Sequence, residues 1–414
     1  MELSGFTAPS LVKNGTRVSV LFITQHFPPR SGAAARRLGY LAREFAKTGD
    51  VFVIRAGMPG AELIKVKETV VLESKDLRKL SGQEGKLLSG KAKEHFLLKP
   101  LLTARQAYPF LLLTDDGGPQ YRSLAYQKAS ELIEKHGITT VFSSFRPWSD
   151  HLVARALKKK YSGLNWIADF RDLPIDPVRK DVWWPALQTW WGKRVIASAD
   201  EVWAVSEGQR SQLVGWHTNI KMRRNAMIEL PPERTAPVTD RFTIVYTGSL
   251  YPGLQTIAPL VRTLNKMLAG GAITPDKLCL VYRGKDADLF REWATELPDV
   301  CLDVKPSIAP AAAQKIQREA QLLLLLNWSA PGYYGVLTAK LWDYLATGRP
   351  VLALVNGPGD EELKSIIEGA DAGAVFADEK QMALEKWIGE KYAYWLENGE
   401  LPWSPDRQKM TTYL

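Results

Sequence analysis

Only two cysteines, Cys279 and Cys301, occur in 414 residues, both inside apolar strand-like runs (KLCLVY and DVCLDV). That scarcity excludes a cysteine-rich scaffold, and the two read as small core residues of a reducing compartment, not as a disulfide or a metal pair. No uninterrupted apolar segment approaches the roughly 20 residues needed to span a bilayer. The opening MELSGFTAPSLVKNG lacks the basic start and apolar stretch of a signal peptide, so the expected location is cytoplasmic. No G-x-G-x-x-G follows a strand, and neither a Walker loop nor a nucleophile elbow is present. Nicotinamide-dependent oxidoreductases, P-loop enzymes and serine hydrolases are thereby disfavoured.

The length exceeds one typical core and implies two domains. Apolar residues make up 45% and charged residues 24%, the balance of a globular protein. Charge is unevenly placed: residues 1–240 hold 36 Lys/Arg against 24 Asp/Glu, and the remainder 18 against 21. Eight of those cations lie within 75–105, interleaved with Leu, Phe and Ala. Such a stretch fits either peripheral contact with an anionic membrane or a solvated helical face. Nucleic acid is not an expected partner, because no recognition motif accompanies the charge.

Strand-like and helix-like segments alternate. Strands are expected at 18–24, 51–56, 140–145, 165–170 and 201–205, with helices at 36–47, 122–135, 150–160 and 183–198 between them. Region 60–120 is poorly patterned and reads as helical insertions. Pro231, Pro232 and Pro237 mark a hinge, after which strands at 242–247, 278–282, 300–304, 322–326, 351–355 and 374–376 alternate with helices again. This order predicts α/β architecture with two doubly wound parallel sheets, whose ligands bind at the carboxyl ends of the strands. The expected divisions are 1–235, 236–385, and a helical segment 386–414 packing back on the first domain, with the site between the two domains.

Within QLLLLLNWSAPGYYGVLTAKLWDYLATGRPVLALV (321–355), a buried strand feeds a glycine-bearing loop and then a helix starting near Leu337. Such a helix mouth suits a phosphate, Lys340 would add a cation, and Asp343, three residues on, an acid for a diol. The same pattern also occurs in α/β proteins as plain scaffolding, with Lys340 solvated or paired to Asp343.

Five segments together resemble a known family. LFITQHFPPRSGAAARRLGYLAREFAKTG, IADFRDLP, ADEVWAVSEGQRSQL, IVYTGSLYPG and GVLTAKLWDYLATGRPVLAL are similar, in order and spacing, to glycosyltransferase family 4 of the GT-B fold. The resemblance implies two Rossmann-like domains facing a central cleft. It also implies sugar transfer from a nucleotide sugar, such as a UDP- or GDP-sugar, with retention and without a metal or separate cofactor. Asp343 matches the second acid of that family's paired motif, whose partner is a ribose diol; eight residues earlier stands Gly335, where the first acid belongs. The backbone of Gly335, Val336, Leu337 and Thr338 would face the diphosphate, as would Gly248 and Ser249 of the YTGSLYPG loop. Gly32 and Ala33 match the N-terminal loop glycines, the second being alanine here.

Members of that family carry an Arg and a Lys after the first strand of the second domain, and residues 247–254 contain neither. A departing diphosphate needs positive charge aimed at it, so Arg283, Lys285 and Lys340 are the candidate substitutes. Arg283 and Lys285 read equally as an ion-paired arginine and a surface lysine. His26 and His151 follow strands on the acceptor side; each could orient a sugar or serve as a hydrogen-bonded structural histidine. Asp169, Arg171 and Asp172 could hold sugar hydroxyls or brace a loop. Trp183, Trp184, Trp190 and Trp191 read as core packing or, beside Lys193 and Arg194, as a membrane interface. The expected activity is a retaining glycosyltransferase acting on a lipid-linked or polysaccharide acceptor in surface glycan synthesis. The alternative is a catalytically silent nucleotide-sugar-binding or scaffold protein.

Overall fold

A computed structural model describes residues 18–30, 32–57, 66–72, 107–114, 118–176, 182–227, 229–232, 240–297, 299–378, 380–401 and 405–414. The described residues divide into two compact units, one ending at residue 224 and the other beginning at residue 225. The second unit therefore starts ahead of the expected boundary at 235.

In the first unit seven strands form one all-parallel sheet of order β3-β2-β1-β4-β5-β6-β7. They are β1 Val18–Thr24, β2 Gly49–Ala56, β3 Glu68–Leu72, β4 Thr140–Phe145, β5 Asn165–Phe170, β6 Glu201–Ala204 and β7 Ile220–Met222. The helices are α1 Ala33–Ala46, α2 Leu111–Thr114, α3 Gly118–His136, α4 Trp148–Lys160, α5 Pro185–Ile196 and α6 Glu207–Leu213. Runs such as VLFI and TVFSSF are buried along their whole length, as a sheet covered on both faces requires. Phe22, Phe45, Phe142 and Trp203 form a ring cluster at its centre. Region 60–120 does not read as helical insertions alone: ETVVL becomes β3, an edge strand on β2. The basic stretch 75–105 lies outside the described residues.

The second unit holds six parallel strands in the order β10-β9-β8-β11-β12-β13. These are β8 Phe242–Thr247, β9 Leu278–Arg283, β10 Cys301–Lys305, β11 Leu322–Trp328, β12 Val351–Asn356 and β13 Gly373–Ala377. Its helices are α7 Ala258–Ala269, α8 Ala287–Ala294, α9 Pro310–Glu319, α10 Ala339–Leu345, α11 Glu361–Ile367, α12 Gln381–Asn398 and α13 Arg407–Thr411. Both sheets reverse strand order once, between β1 and β4 and between β8 and β11, and each reversal opens a crevice at the carboxyl edge.

Two expectations are corrected. The segment 386–414 belongs to the second unit: Tyr392 and Trp395 pack their rings on Phe242, Tyr413 meets Trp342, and Tyr413 O accepts from Met227 N. Nor are the cysteines separate core residues. Parallel register sets Cys279 directly opposite Cys301, with Cα atoms 4.5 Å apart, and a disulfide joins them.

Candidate functional site

The crevice of the second unit is built around two loops, one after β8 and one after β11. Tyr344, buried on α10, accepts a hydrogen bond from Thr247 N (3.0 Å) at the end of β8. One turn earlier on the same helix face, Lys340 reaches the loop that follows β8. Its Nζ donates to Ser249 O (2.9 Å) and to the Tyr246 hydroxyl, and lies 4.1 Å from the Tyr246 ring centre. Gly248 has φ 111°, and a Cβ there would stand 2.7 Å from Lys340 Cε. Glycine at 248 is thus required twice, by backbone conformation and by the lysine lying against it.

The loop itself is stapled in place. Gly248 N donates to Arg283 O (2.7 Å), and the Tyr282 hydroxyl donates to Gly248 O (2.9 Å). Leu250 N donates to Asp286 Oδ2 (2.8 Å), and Asp286 N to the Tyr282 hydroxyl (3.1 Å). Gly284 admits this arrangement because a Cβ on it would run into Gly248 O and the Tyr282 hydroxyl. Burial lowers the Lys340 ammonium to about 7, the Asp286 carboxylate opposing that shift. Burial also raises the Tyr246 phenol, which stays a neutral donor and acceptor beside it.

Lys340, Gly248 and Ser249 therefore come together, on one crevice. Asp343 sits half-buried on the same short helix. Gly335, Val336, Leu337 and Thr338 are placed differently from expectation, because their amides are largely committed. Gly335 N donates to Asp360 Oδ2 (2.8 Å), Leu337 N to Gly335 O, and Thr338 N to Val336 O. The helix begins at Ala339 rather than near Leu337 and has seven residues, so the anion-binding helix mouth foreseen there is not formed by 335–338. Asp360, nearly inaccessible, caps α11 through Leu363 N (3.0 Å), and burial raises its carboxyl.

Arg283 does not join Lys340. Its guanidinium pairs with Asp303 on β10 and donates to the carbonyls of Tyr282 (2.9 Å) and Asp303 (2.6 Å). Its charge is matched within the sheet edge, the structural role that the sequence left open.

At the carboxyl edge of the first unit, His26 follows β1 and is half-buried. Burial, then Arg171 and Arg30, lower its imidazole to about 4, so it is neutral at physiological pH. Arg171 links two loops of this edge: it pairs with Asp172 (3.1 Å) and donates to Arg146 O (2.9 Å). Gly32 caps α1 at φ 119°, with open space where a Cβ would stand, and Ala33 opens that helix in an exposed position. His151 is removed from the candidate site. It is fully inaccessible, surrounded by Phe145, Trp148, Trp166 and Phe170, with Nδ1 2.8 Å from Ser143 Oγ. Desolvation alone lowers it to about 3. Asp169 is likewise a brace: inaccessible, it pairs with buried Arg37 (2.5 Å) and accepts from Ser144 Oγ (2.8 Å).

Tyr246, Tyr282, Tyr344, Gly284, Asp286 and Asp360 were not foreseen. A signal existed for the first two: FTIVYT and LCLVYR each place a polar-tipped ring near the carboxyl end of an otherwise apolar strand.

No family profile and no curated protein sequence matches the chain. Solved structures do. A sucrose-phosphate synthase from Thermosynechococcus elongatus is similar over 96% of this chain and 95% of its own, with TM-score 0.58 and 14% identity. A trehalose-6-phosphate structure from E. coli bound with UDP-2-fluoro glucose covers 95% and 94%, with TM-score 0.55 and 9% identity. WaaG, a glycosyltransferase involved in lipopolysaccharide biosynthesis, covers 92% and 93%, with TM-score 0.50 and 11% identity. Two all-parallel α/β units in this order, matched along nearly the whole chain by such neighbours, are the GT-B glycosyltransferase fold.

Proposed function

We propose that the chain is a retaining glycosyltransferase that takes its sugar from a nucleotide sugar held on the second unit. The observation that carries this reading is Lys340, which crosses the strand-order reversal between β8 and β11 to lie on the Gly248–Ser249 loop. That places a cation beside a glycine turn where open α/β sheets bind ligands. Asp343, on the same helix, would take the ribose diol.

In the reaction, the bond between the anomeric carbon and the diphosphate breaks with its electron pair going to the phosphate oxygen. The acceptor hydroxyl forms its bond from the same face and passes its proton to that oxygen. Lys340 meets the charge gained by the departing diphosphate, so the step calls for no metal and no separate cofactor. The acceptor would be a lipid-linked or growing surface polysaccharide on the more basic first unit, with the protein cytoplasmic and peripheral at the inner face of the membrane. Among the described residues no helix is long and apolar enough to cross a bilayer.

Incubation with a panel of nucleotide sugars tests the reading. Transfer or slow donor hydrolysis, lost in Lys340→Met, supports it. The second reading, a silent nucleotide-sugar-binding scaffold, is favoured by Gly335 standing at the missing acid and by the internal use of the 335–338 amides. Tight binding of a nucleotide sugar with neither transfer nor hydrolysis would select it.

A further inference from the structure

The helix α5 is apolar on two opposite faces. Its inward face carries Gln188, Trp191, Val195 and Ile196, all buried. Gly192 belongs to that face because the Trp216 and Trp148 rings occupy the space a Cβ would need. Its outward face carries Leu187, Trp190 and Arg194, at spacings of three and four, which is one helical stripe, and Trp184 is the cap residue just ahead of it. Trp184 is 52% exposed, Leu187 38% and Trp190 49%. Beside them Phe110 and Leu113, at the start of α2, are 41% and 68% exposed, and Phe110 contacts the rings of Trp183 and Trp184.

Single exposed apolar side chains need no explanation, but five together on one face point to a surface that something covers. Trp184 strengthens the point. It holds φ 48°, a left-handed conformation that costs a bulky residue about 1–2 kcal/mol, yet half its surface stays in water.

We infer that this face of α2 and α5 seats the protein on the headgroup layer of an anionic bilayer. Indole rings with one polar edge are suited to that layer, where apolar and hydrated regions meet. Arg194 lies with its guanidinium 4.2 Å from the Trp190 ring centre, so a cation travels with the ring that would enter the interface. Residues 1–240 carry 36 Lys/Arg against 24 Asp/Glu, a net excess of positive charge that favours approach to an acidic surface. Placement agrees as well. α5 follows β5 and α2 leads into α3 ahead of β4, so both exposed helix starts belong to the carboxyl edge of the sheet, the edge of His26 and Arg171. The face would hold a lipid-borne acceptor at that edge. This use rests on the proposed transfer reaction, whereas bilayer binding can be measured without it.

Flotation with vesicles of phosphatidylcholine, with and without phosphatidylglycerol, tests the inference on the full chain. The expected result is binding that needs the anionic lipid and falls about tenfold or more in Trp184→Ser/Trp190→Ser, equivalent to about 1.4 kcal/mol. Arg194→Glu should weaken binding to the anionic vesicles only. Leu396→Ser, an exposed apolar position in the second unit, should leave it unchanged. UDP and GDP affinity should be the same in all these variants, which separates this surface from the donor site. Equal flotation of wild type and the double variant overturns the inference. So does a concentration-dependent dimer in lipid-free solution that the same substitutions dissolve, which would assign the face to a second copy of the chain.

Discussion

Lys340 lies across Gly248: its Cε stands 2.7 Å from where a side chain on residue 248 would begin, and its Nζ continues to Ser249 O. A strand-end turn and a helix from a later crossover are thereby locked into one surface. Gly248→Ala tests that lock. The methyl group must displace Lys340 and adopt φ 111°, unfavourable for any L side chain. Affinity for a nucleoside diphosphate, measured by calorimetry, should fall about tenfold, or about 1.4 kcal/mol, while the far-ultraviolet spectrum stays unchanged. Unaltered affinity would detach the loop from the donor.

Much of the fold was legible because its signal is local. Runs such as LLLLLNW and VLALV are too short and too apolar to be anything but buried parallel strands, and the loops at their carboxyl ends follow from the alternation. β3 escaped because it is an edge strand, partly exposed along ETVV, so it lacks the continuous apolar run of its neighbours. Cys279 and Cys301 were each read correctly as strand residues, but their pairing depends on register between β9 and β10, which neither segment encodes alone. The same limit governed the site. Lys340 was found from helix spacing and a glycine loop, whereas the fate of Arg283 was set by Asp303 on the next strand and that of His151 by an aromatic cage gathered from β4, β5 and α4.

Proton uptake should accompany donor binding. Since burial lowers Lys340 to about 7 in the empty protein, the amine is substantially neutral just above that pH. A diphosphate favours the ammonium form, so affinity should decline as pH rises from about 7, and calorimetry in buffers of different ionisation enthalpy should register up to one proton taken up. The sign for stability is opposite: between about 7 and the ordinary lysine range near 10.4 the unfolded chain binds the extra proton, so this group makes the empty protein more stable as pH rises. Lys340→Met should abolish both slopes.

The pairing of Arg283 with Asp303 predicts a structural phenotype. Arg283→Ala leaves the half-buried Asp303 carboxylate with Lys305 alone (3.0 Å) and removes the guanidinium's bonds to the Tyr282 and Asp303 carbonyls. Urea unfolding should show a loss of about 2 kcal/mol, below the range for fully buried pairs because Asp303 retains solvent contact. Nucleoside diphosphate affinity should remain within twofold of wild type. A tenfold loss of affinity with unchanged stability would return Arg283 to the phosphate.

His151 predicts a difference confined to acid. Desolvation lowers the folded imidazole to about 3, whereas in the unfolded chain it titrates near 6.5. Between those values the unfolded state binds the extra proton, so stability falls as pH drops below about 6.5 and continues to fall toward 3. From pH 7 to pH 5 this one group should remove about 2 kcal/mol. His151→Leu keeps an apolar side chain inside the Phe145, Trp148 and Phe170 cage, and Trp166 Nε1 still donates to Ser143 Oγ (2.8 Å). The variant should therefore lose about 2 kcal/mol less than wild type between the two pH values, with His26 contributing equally to both. A wild-type slope no steeper than the variant's would mean that the imidazole reaches solvent, and His151 would return to the acceptor side as a candidate.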